Sequence, residues 1–417
     1  MNVGSDRQTD PMSQGGPLSG RTVALCVTGS IAAYKAAELA RLLIKAGANV
    51  HTLMTAAGAR FLGPATLAGI TGRPVALDMW DPARAGETHV TLGDQADVVV
   101  VAPATADVLA RLAHGRADDL VAALALCAGV PVILAPAMHP RMWSHPATQQ
   151  NVEALTLQGR VVFVGPVEGE VASGEYGVGR MADPTMIAGA VAAVLTPNDL
   201  EGSHVVVTAG PTLEDIDPVR FLGNRSSGRM GFALAERASA RGAAVTLIAG
   251  PVDLPTPYGV ARIDVRSAAS MRATLWDVLG PDLSLADALI MAAAVADHRP
   301  AEFSPTKIKS SAEPTALALV KNADLLAEVG AARTGTRPAL VGFAVESQGG
   351  DELVAYARSK LADKRVDFIV ANEASESFGR TDNRATIVSF EEHQTLPTMS
   401  KTALADIILD RMAGLLQ

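Results

Sequence analysis

The chain has 417 residues, 48% of them apolar and 4% aromatic, and a net charge of −9. Such a length exceeds one ordinary core and predicts two domains of roughly 200 residues each, packed mainly from Ala, Val and Leu. The acidic balance excludes a broad nucleic-acid surface, so an anionic ligand must be held by local Arg, Lys and helix N-termini.

Residues 1–20 are polar, with four glycines and two prolines. They lack the basic-then-apolar order of a signal peptide and are expected to form a disordered tail. Val23–Val27 predicts a strand ending at Thr28-Gly29-Ser30. The helix that follows places Ala36, Leu39, Ala40, Leu43 and Ile44 on one face, Gly47 closes it, and Val50–Met54 is the next strand. Asp97–Ala102 and Val132–Ala135 read as strands buried on both faces, as parallel sheets require. The uncharged run Leu120–Met138 approaches a bilayer-spanning length, but Gly129-Val130-Pro131 and Pro136 break it into a buried helix end and a core strand, so no membrane contact is expected. Cys26 and Cys127 both lie in apolar runs and are expected as buried free thiols in a reducing cytoplasm, unable to build a metal cluster.

Residues 21–195 therefore form one domain, 196–203 a short polar linker, and 204–417 a second domain. In the second, His204–Thr208, Ala244–Ala249, Ala288–Ala293, Ala339–Phe343 and Phe368–Ala371 predict strands, with helices at Gly231–Arg241 and Asp351–Lys364. The expected fold class is α/β: two doubly wound, mostly parallel, Rossmann-like sheets in tandem, with ligands at the carboxyl ends of their strands.

Two strand-to-helix junctions look built for phosphate. Thr28-Gly29-Ser30 offers close backbone approach, a hydroxyl and a helix N-terminus, although a plain N-cap has the same composition. The loop Asn224-Arg225-Ser226-Ser227-Gly228-Arg229 is richer, adding two arginines. Asp297 ends a core strand, where a carboxylate either caps a helix or holds Mg²⁺ against a triphosphate. Lys360 and Lys364 stand one helical turn apart, a pattern shared with solvated charged faces. A dinucleotide fingerprint is missing, since the GxGxxA-like run Gly177–Ala182 follows a polar loop rather than a strand.

Combined with Pro103-Ala104-Thr105, Asp118-Asp119, Pro136-Ala137-Met138-His139 and Thr88-His89-Val90, the first half resembles the flavin-dependent cysteine decarboxylases. The resemblance implies FMN in a homo-oligomeric, trimer-based domain, with its phosphate at Gly29, Ser30 and Ile31, and flavin contacts from Thr55, Pro103, Ala104, Thr105 and Met138. It also implies His89 as the catalytic base, and flavin chemistry that turns the thiol into an electron sink for decarboxylation. Three positions depart from the family pattern: His139 replaces Asn, Ser173 replaces the Cys that donates the last proton, and Asp107 replaces Asn. A hydroxyl gives up a proton far less readily than a thiol of pKa about 8.5. Ser173 is therefore expected to position the substrate or a water, with His139 compensating.

The second half resembles the CTP-using phosphopantothenate–cysteine ligases, dimeric in this family. That resemblance implies CTP contacts from Ala292, Ala293, Asp297, Lys307, Ala323, Asp324, Leu325, Leu326, Phe343, Lys360 and Lys364, with Mg²⁺ on Asp297. It implies Lys307 neutralising phosphate charge, Asn224 orienting an acyl-cytidylate, and 4'-phosphopantothenate held by Asn224, Ser226, Ser227 and Gly228. Arg229, Ser310 and Ala323 stand where Lys, Lys and Pro are usual. The fused chain is thus expected to make phosphopantothenoylcysteine from phosphopantothenate and cysteine and then decarboxylate it. Two other readings remain open on residues alone: a flavin-binding regulatory module with impaired decarboxylation, and a nicotinamide dehydrogenase, which the absent fingerprint disfavours.

Overall fold

The computed structural model describes residues 16–81, 86–309, 316–346, 350–373 and 382–417. Ser310 and the first fifteen residues of the expected tail lie outside them. The rest of that tail is ordered against the fold: Leu18 is 1% exposed, and its amide donates to the Ala46 carbonyl at 2.9 Å. An apolar side chain with a helix end to cover does not stay in water. The chain divides into two compact units, Met1–Pro184 and Thr185–Gln417.

In the first unit, strands β1 (Thr22–Val27), β2 (Asn49–Met54), β3 (Val98–Ala104), β4 (Val132–Pro136) and β5 (Val161–Phe163) form one parallel sheet in the order β2-β1-β3-β4-β5. Every residue of β3 and β4 is buried, as a sheet covered on both faces demands. Helix Lys35–Lys45 buries Ala36, Leu39, Ala40 and Leu43, and Gly47 leaves it at φ 96°. Ile44 departs from expectation at 37% exposure, because it sits at the edge of that apolar stripe. The run from Leu120 resolves into helix Leu120–Cys127 and then β4. Cys26 is buried within β1, but Cys127 is exposed, since the helix surfaces after Ala125. A hairpin of β6 (Val167–Glu170) and β7 (Tyr176–Arg180) stands apart from the main sheet.

The second unit opens with helix Pro184–Leu195, whose first residue is the last of the preceding unit. The segment expected as a linker is held to this unit: Leu200 is 1% exposed, and Asp199 pairs with the buried Arg241. Its strands are β8 (His204–Ala209), β9 (Glu214–Asp215), β10 (Phe221–Leu222), β11 (Ala244–Ala249), β12 (Val260–Asp264), β13 (Ala288–Met291), β14 (His298–Pro300), β15 (Leu319–Lys321), β16 (Ala339–Glu346), β17 (Phe368–Glu373), β18 (Asp382–Asn383), β19 (Thr386–Val388), β20 (His393–Thr395) and β21 (Met399–Ser400). The main sheet runs β12-β11-β8-β13-β16-β17-β19-β20, parallel through β17 and antiparallel beyond it. Its six parallel strands, renumbered by order of appearance, read 3-2-1-4-5-6, the arrangement of dinucleotide-type folds. The C-terminal helix Lys401–Leu416 buries Leu404, Ile408, Leu409 and Met412 in the same core as Phe232, Leu234 and Ala238 of helix Arg229–Ala240. Strand order reverses between β1 and β3 in one unit and between β8 and β13 in the other. Ligands gather at such switch points.

Candidate active sites at the two switch points

The first pocket, about 640 Å³, opens beyond the carboxyl ends of β1 and β3 and is lined by Gly29, Ser30, Thr55, Thr105 and Met138, among others. Local capping builds its rim. The Ser30 hydroxyl accepts from the Ala32 amide and the Thr105 hydroxyl from the Val108 amide, each at 3.3 Å. A Cβ at residue 29 would lie 2.5 Å from the Ala57 Cβ, so the turn after β2 can approach β1 only because residue 29 is glycine. Pro103 and Ala104 lie buried outside the lining, and the Pro103 carbonyl accepts from the Thr28 hydroxyl at 2.6 Å. Ile31 is 62% exposed and also outside it. Arg111 lines this pocket but is already bound by Asp107, Asp118 and Asp119 at 3.0, 2.7 and 2.9 Å. With Asp107, Asp119 and Arg111 as its charged lining, the pocket sums to −1.

His89 lies in the first turn of helix Thr88–Gln95, where Glu87 takes the cap position. Its Nδ1 is buried and has no hydrogen-bond partner among the described residues, a costly state unless another group reaches it. His89 is not in the pocket lining. His139 caps the short helix Pro140–Trp143: its Nδ1 accepts from the Arg141 amide at 3.2 Å, which leaves Nε2 to donate to Glu175 at 2.9 Å. Both ring nitrogens are therefore occupied within the protein. Arg141 reaches the same Glu175 oxygen at 3.2 Å. Ser173 is exposed in the turn of the β6–β7 hairpin, two residues from Glu175. The hairpin's base is tied to the pocket, since the Met138 amide donates to the Gly179 carbonyl at 3.0 Å.

The second pocket, about 470 Å³, brings together Ser226–Gly231 after β8, Met291–Asp297 after β13, Ala323–Leu326, Phe343, Lys360 and Lys364. Gly228 starts helix Arg229–Ala240 at φ 73°, a conformation that favours glycine. Asp324 caps helix Leu325–Ala332 and pairs with Lys364 at 2.9 Å. Burial raises the Asp324 carboxyl, but Lys364 and the Ala327 amide outweigh it and hold the group below the ordinary range. Lys360 lies 4.3 Å from the centre of the Tyr356 ring. Asn224 is exposed outside the lining, its Nδ2 donating to the Ala294 carbonyl at 2.6 Å. Lys307 is likewise exposed and outside it.

Further lining residues carry no assigned role from sequence: Lys321, Asn372, Asn383 and Lys401. Asn372 and Asn383, 4% and 3% exposed, each have a buried Oδ1 without a hydrogen-bond partner among the described residues. Lys401 is 9% exposed; burial pushes its ammonium below the usual range, which Asp382 opposes and Arg229 reinforces. Ser400 ahead of the periodic Leu404, Ile408 and Leu409 was a legible helix start that would have placed Lys401 at a helix N-terminus. Five cations (Arg229, Lys321, Lys360, Lys364, Lys401) face two carboxylates (Asp297, Asp324), a net lining charge of +3 in a chain of −9.

Residues 11–196 match the flavoprotein family, and residues 200–416 match the DNA/pantothenate metabolism flavoprotein C-terminal domain. The chain is 44% identical over 398 residues to the coenzyme A biosynthesis bifunctional protein of Vibrio cholerae, covering 94% of this chain and 98% of that one. It is 42% identical over 407 residues to the Bacillus subtilis protein of the same name, covering 95% and 98%. This chain belongs to the bifunctional coenzyme A biosynthesis proteins. A crystal structure of the C-terminal domain of one such protein, 34% identical, matches 52% of this chain and 98% of its own with a TM-score of 0.44. The chain is accordingly a two-activity enzyme of this pathway, a decarboxylase in its flavoprotein half and a ligase in the other. Its lining residues change the emphasis of the sequence reading: Lys401 and two asparagines join the ligase pocket, while Asn224 and Lys307 stand outside it.

Proposed function

We propose that the ligase half, residues 204–417, couples 4'-phosphopantothenate to cysteine with CTP, and that residues 21–195 decarboxylate the product to 4'-phosphopantetheine with FMN. The observation that carries the reading is the +3 pocket at the β8/β13 switch point, a charge suited to a nucleoside triphosphate. In the first step the substrate carboxylate attacks the α-phosphorus of CTP and pyrophosphate leaves. The cysteine amine then attacks the acyl carbon and CMP leaves. Lys360, Lys364 and Lys401 offset phosphate charge, Phe343 and Ala323–Leu326 flank the base, and Asn224 orients the acyl-cytidylate beside Ser226, Ser227 and Gly228. Asp297 suits Mg²⁺, an ion usually bound by one or two carboxylates plus substrate phosphates. Lys307 steadies the charge that develops on the phosphates.

The first pocket fits FMN: small side chains at Gly29, Ala57, Ala106 and Ala137 leave room for a flat ring, and few charges oppose it. FMN held by Gly29, Ser30, Thr55, Thr105 and Met138 would supply a reversible two-electron sink for oxidation of the cysteinyl CH2–SH group, which decarboxylation needs. The orphaned Nδ1 of His89 suits a proton-moving role. Ser173 positions substrate from the hairpin, and His139, with both nitrogens engaged, acts by holding that hairpin. Homo-oligomers, trimeric through the first half and dimeric through the second, accord with exposed Ile31, Tyr34 and Trp80 in the one and Phe221 in the other. Cys26 as a buried thiol suits a reducing cytoplasm. Mass spectrometry after incubation with phosphopantothenate, cysteine, CTP and Mg²⁺ tests the whole scheme. Phosphopantetheine with CMP is expected; accumulated phosphopantothenoylcysteine would refute the decarboxylase roles, and no coupled product would refute both.

A further inference from the structure

We infer that Asp217, together with Arg220, is a positioning residue for Lys307, gripping the main chain of the next residue, Ile308. The inference rests on the ligase reading above and assigns a task to two residues outside the pocket lining. Asp217 is 1% exposed, and both of its oxygens are fully used. Oδ1 accepts from the Val219 and Arg220 amides at 2.8 Å each. Oδ2 accepts from Arg220 Nε at 2.9 Å, Arg220 Nη2 at 2.6 Å and the Ile308 amide at 3.1 Å. Arg220 Nη2 also donates to the Ile308 carbonyl at 2.5 Å. The N–H and C=O of Ile308 are thus held by the two halves of one ion pair. The Ser304 amide adds a third stitch, donating to the Ile216 carbonyl at 3.0 Å.

Lys307 itself is exposed, as are its preceding neighbours Pro305 and Thr306, so the grip on Ile308 is what fixes where the lysine begins its reach. The same segment continues through β10 to Asn224, which is anchored on Ala294 of the pocket wall. One frame therefore sets both the substrate-side amide and the lysine. Burial pushes the Asp217 carboxyl up, and the bonds from Val219, Arg220 and Ile308 overcome this, so it stays ionised and keeps accepting at any working pH.

Asp217→Asn tests this, because an amide placed there presents N–H groups toward Arg220 and the Ile308 amide. With phosphopantothenate, CTP and Mg²⁺ but no cysteine, the single-turnover rate of pyrophosphate release should fall about 10- to 100-fold, the scale of a 1 Å misplacement, while the KM for CTP changes less than about twofold. In a Lys307→Ala background the same substitution should cost nothing further, since Asp217 acts through the lysine. Independently of turnover, limited trypsin should cut after Lys307 several-fold faster in the Asp217→Asn protein. Arg220→Gln, which removes the guanidinium's hold on the Ile308 carbonyl at a half-exposed side chain, covers the case where the buried variant fails to fold and should reproduce both effects. Additive losses in the Lys307→Ala background, or unchanged cleavage after Lys307 in the folded variants, would overturn the inference. Unchanged cleavage condemns the grip alone, whereas absence of pyrophosphate from the unmodified enzyme condemns the ligase reading, and the tryptic comparison still decides on the grip.

Discussion

Gly29→Ala puts the geometry of the flavin pocket to a quantitative test. The new methyl would sit 2.5 Å from the Ala57 Cβ and 3.2 Å from the Ala57 carbonyl carbon. Carbon atoms prefer separations of about 3.5–4.0 Å, so the two segments must part by about 1–1.5 Å. A Cβ cannot rotate aside, and the Thr55 hydroxyl ties this turn through the Gly58 amide at 3.0 Å, so the whole turn moves. Overpacking of this kind costs about 1–3 kcal/mol, which in a unit of this size lowers Tm by about 2–12 °C. Since Gly29, Thr55, Ala56 and Ala57 all line the pocket, flavin should be lost as well. The assay is flavin per protein by visible absorbance, beside thermal unfolding. Ala57→Gly in the same chain removes the nearest atom and should restore much of both. Stoichiometric flavin with an unchanged Tm in the single variant would refute the reasoning, as would failure of the second substitution to help.

Three further outcomes follow from other contacts. His139→Asn keeps an oxygen to accept from the Arg141 amide but falls short of Glu175; one hydrogen bond of this type is worth about 0.5–1.5 kcal/mol, so Tm should fall by only a few degrees while amide exchange in residues 170–176 rises, measured by mass spectrometry. Lys401→Gln should raise the KM for CTP about tenfold, the effect of losing roughly 1.4 kcal/mol. Because the Lys401 pKa is depressed, the unmodified enzyme should lose CTP affinity as pH rises toward values still below an ordinary lysine's, and the variant should lack that slope, readable by titration calorimetry. The Asp217 pKa is also depressed, so its stabilisation is complete above the unfolded value of about 3.9 and is lost as pH falls below it. In urea unfolding, the stability gap between the unmodified protein and Asp217→Asn should therefore shrink from pH 5 to pH 3, and a constant gap would contradict the assignment.

Much of the fold was legible because the buried parallel strands are continuous apolar runs with glycine at helix exits. β1, β3, β4, β8 and β11 all carry that signal, and helix Asp351–Lys364 was placed at its true ends. What escaped were elements held by tertiary contact rather than local pattern. β12 reads Val-Ala-Arg-Ile-Asp with mixed exposure, and β19–β20 adds an antiparallel edge whose outer strand is fully exposed. Leu18 and Leu200 escaped for a related reason: a single apolar residue in a polar stretch gives no periodicity, yet each is buried. Asp217 escaped because Asp-Pro-Val-Arg reads as a turn, and nothing in sequence tells that its carboxylate meets an amide 91 positions away.

The two pockets show how one layout presents two unlike electrostatic environments. Each lies where strand order reverses, so each inherits helix N-termini and small residues without further design. Charge then separates them. The first holds its lining Arg111 among three carboxylates and its charged lining sums to −1, which accords with the proposed FMN, whose one phosphate would rest on backbone donors near Gly29–Ser30. The second gathers lysines from β15, from helix Asp351–Lys364 and from the start of helix Lys401–Leu416, reaching +3. Of these, only the Lys360–Lys364 pair could be grouped from sequence, because one helix face displays both. Lys321 and Lys401 are 80 residues apart and share a pocket because the end of β15 and the start of the C-terminal helix both line it. The positive lining is thus a property of topology, assembled from residues whose individual sequence neighbourhoods look like ordinary solvated surface.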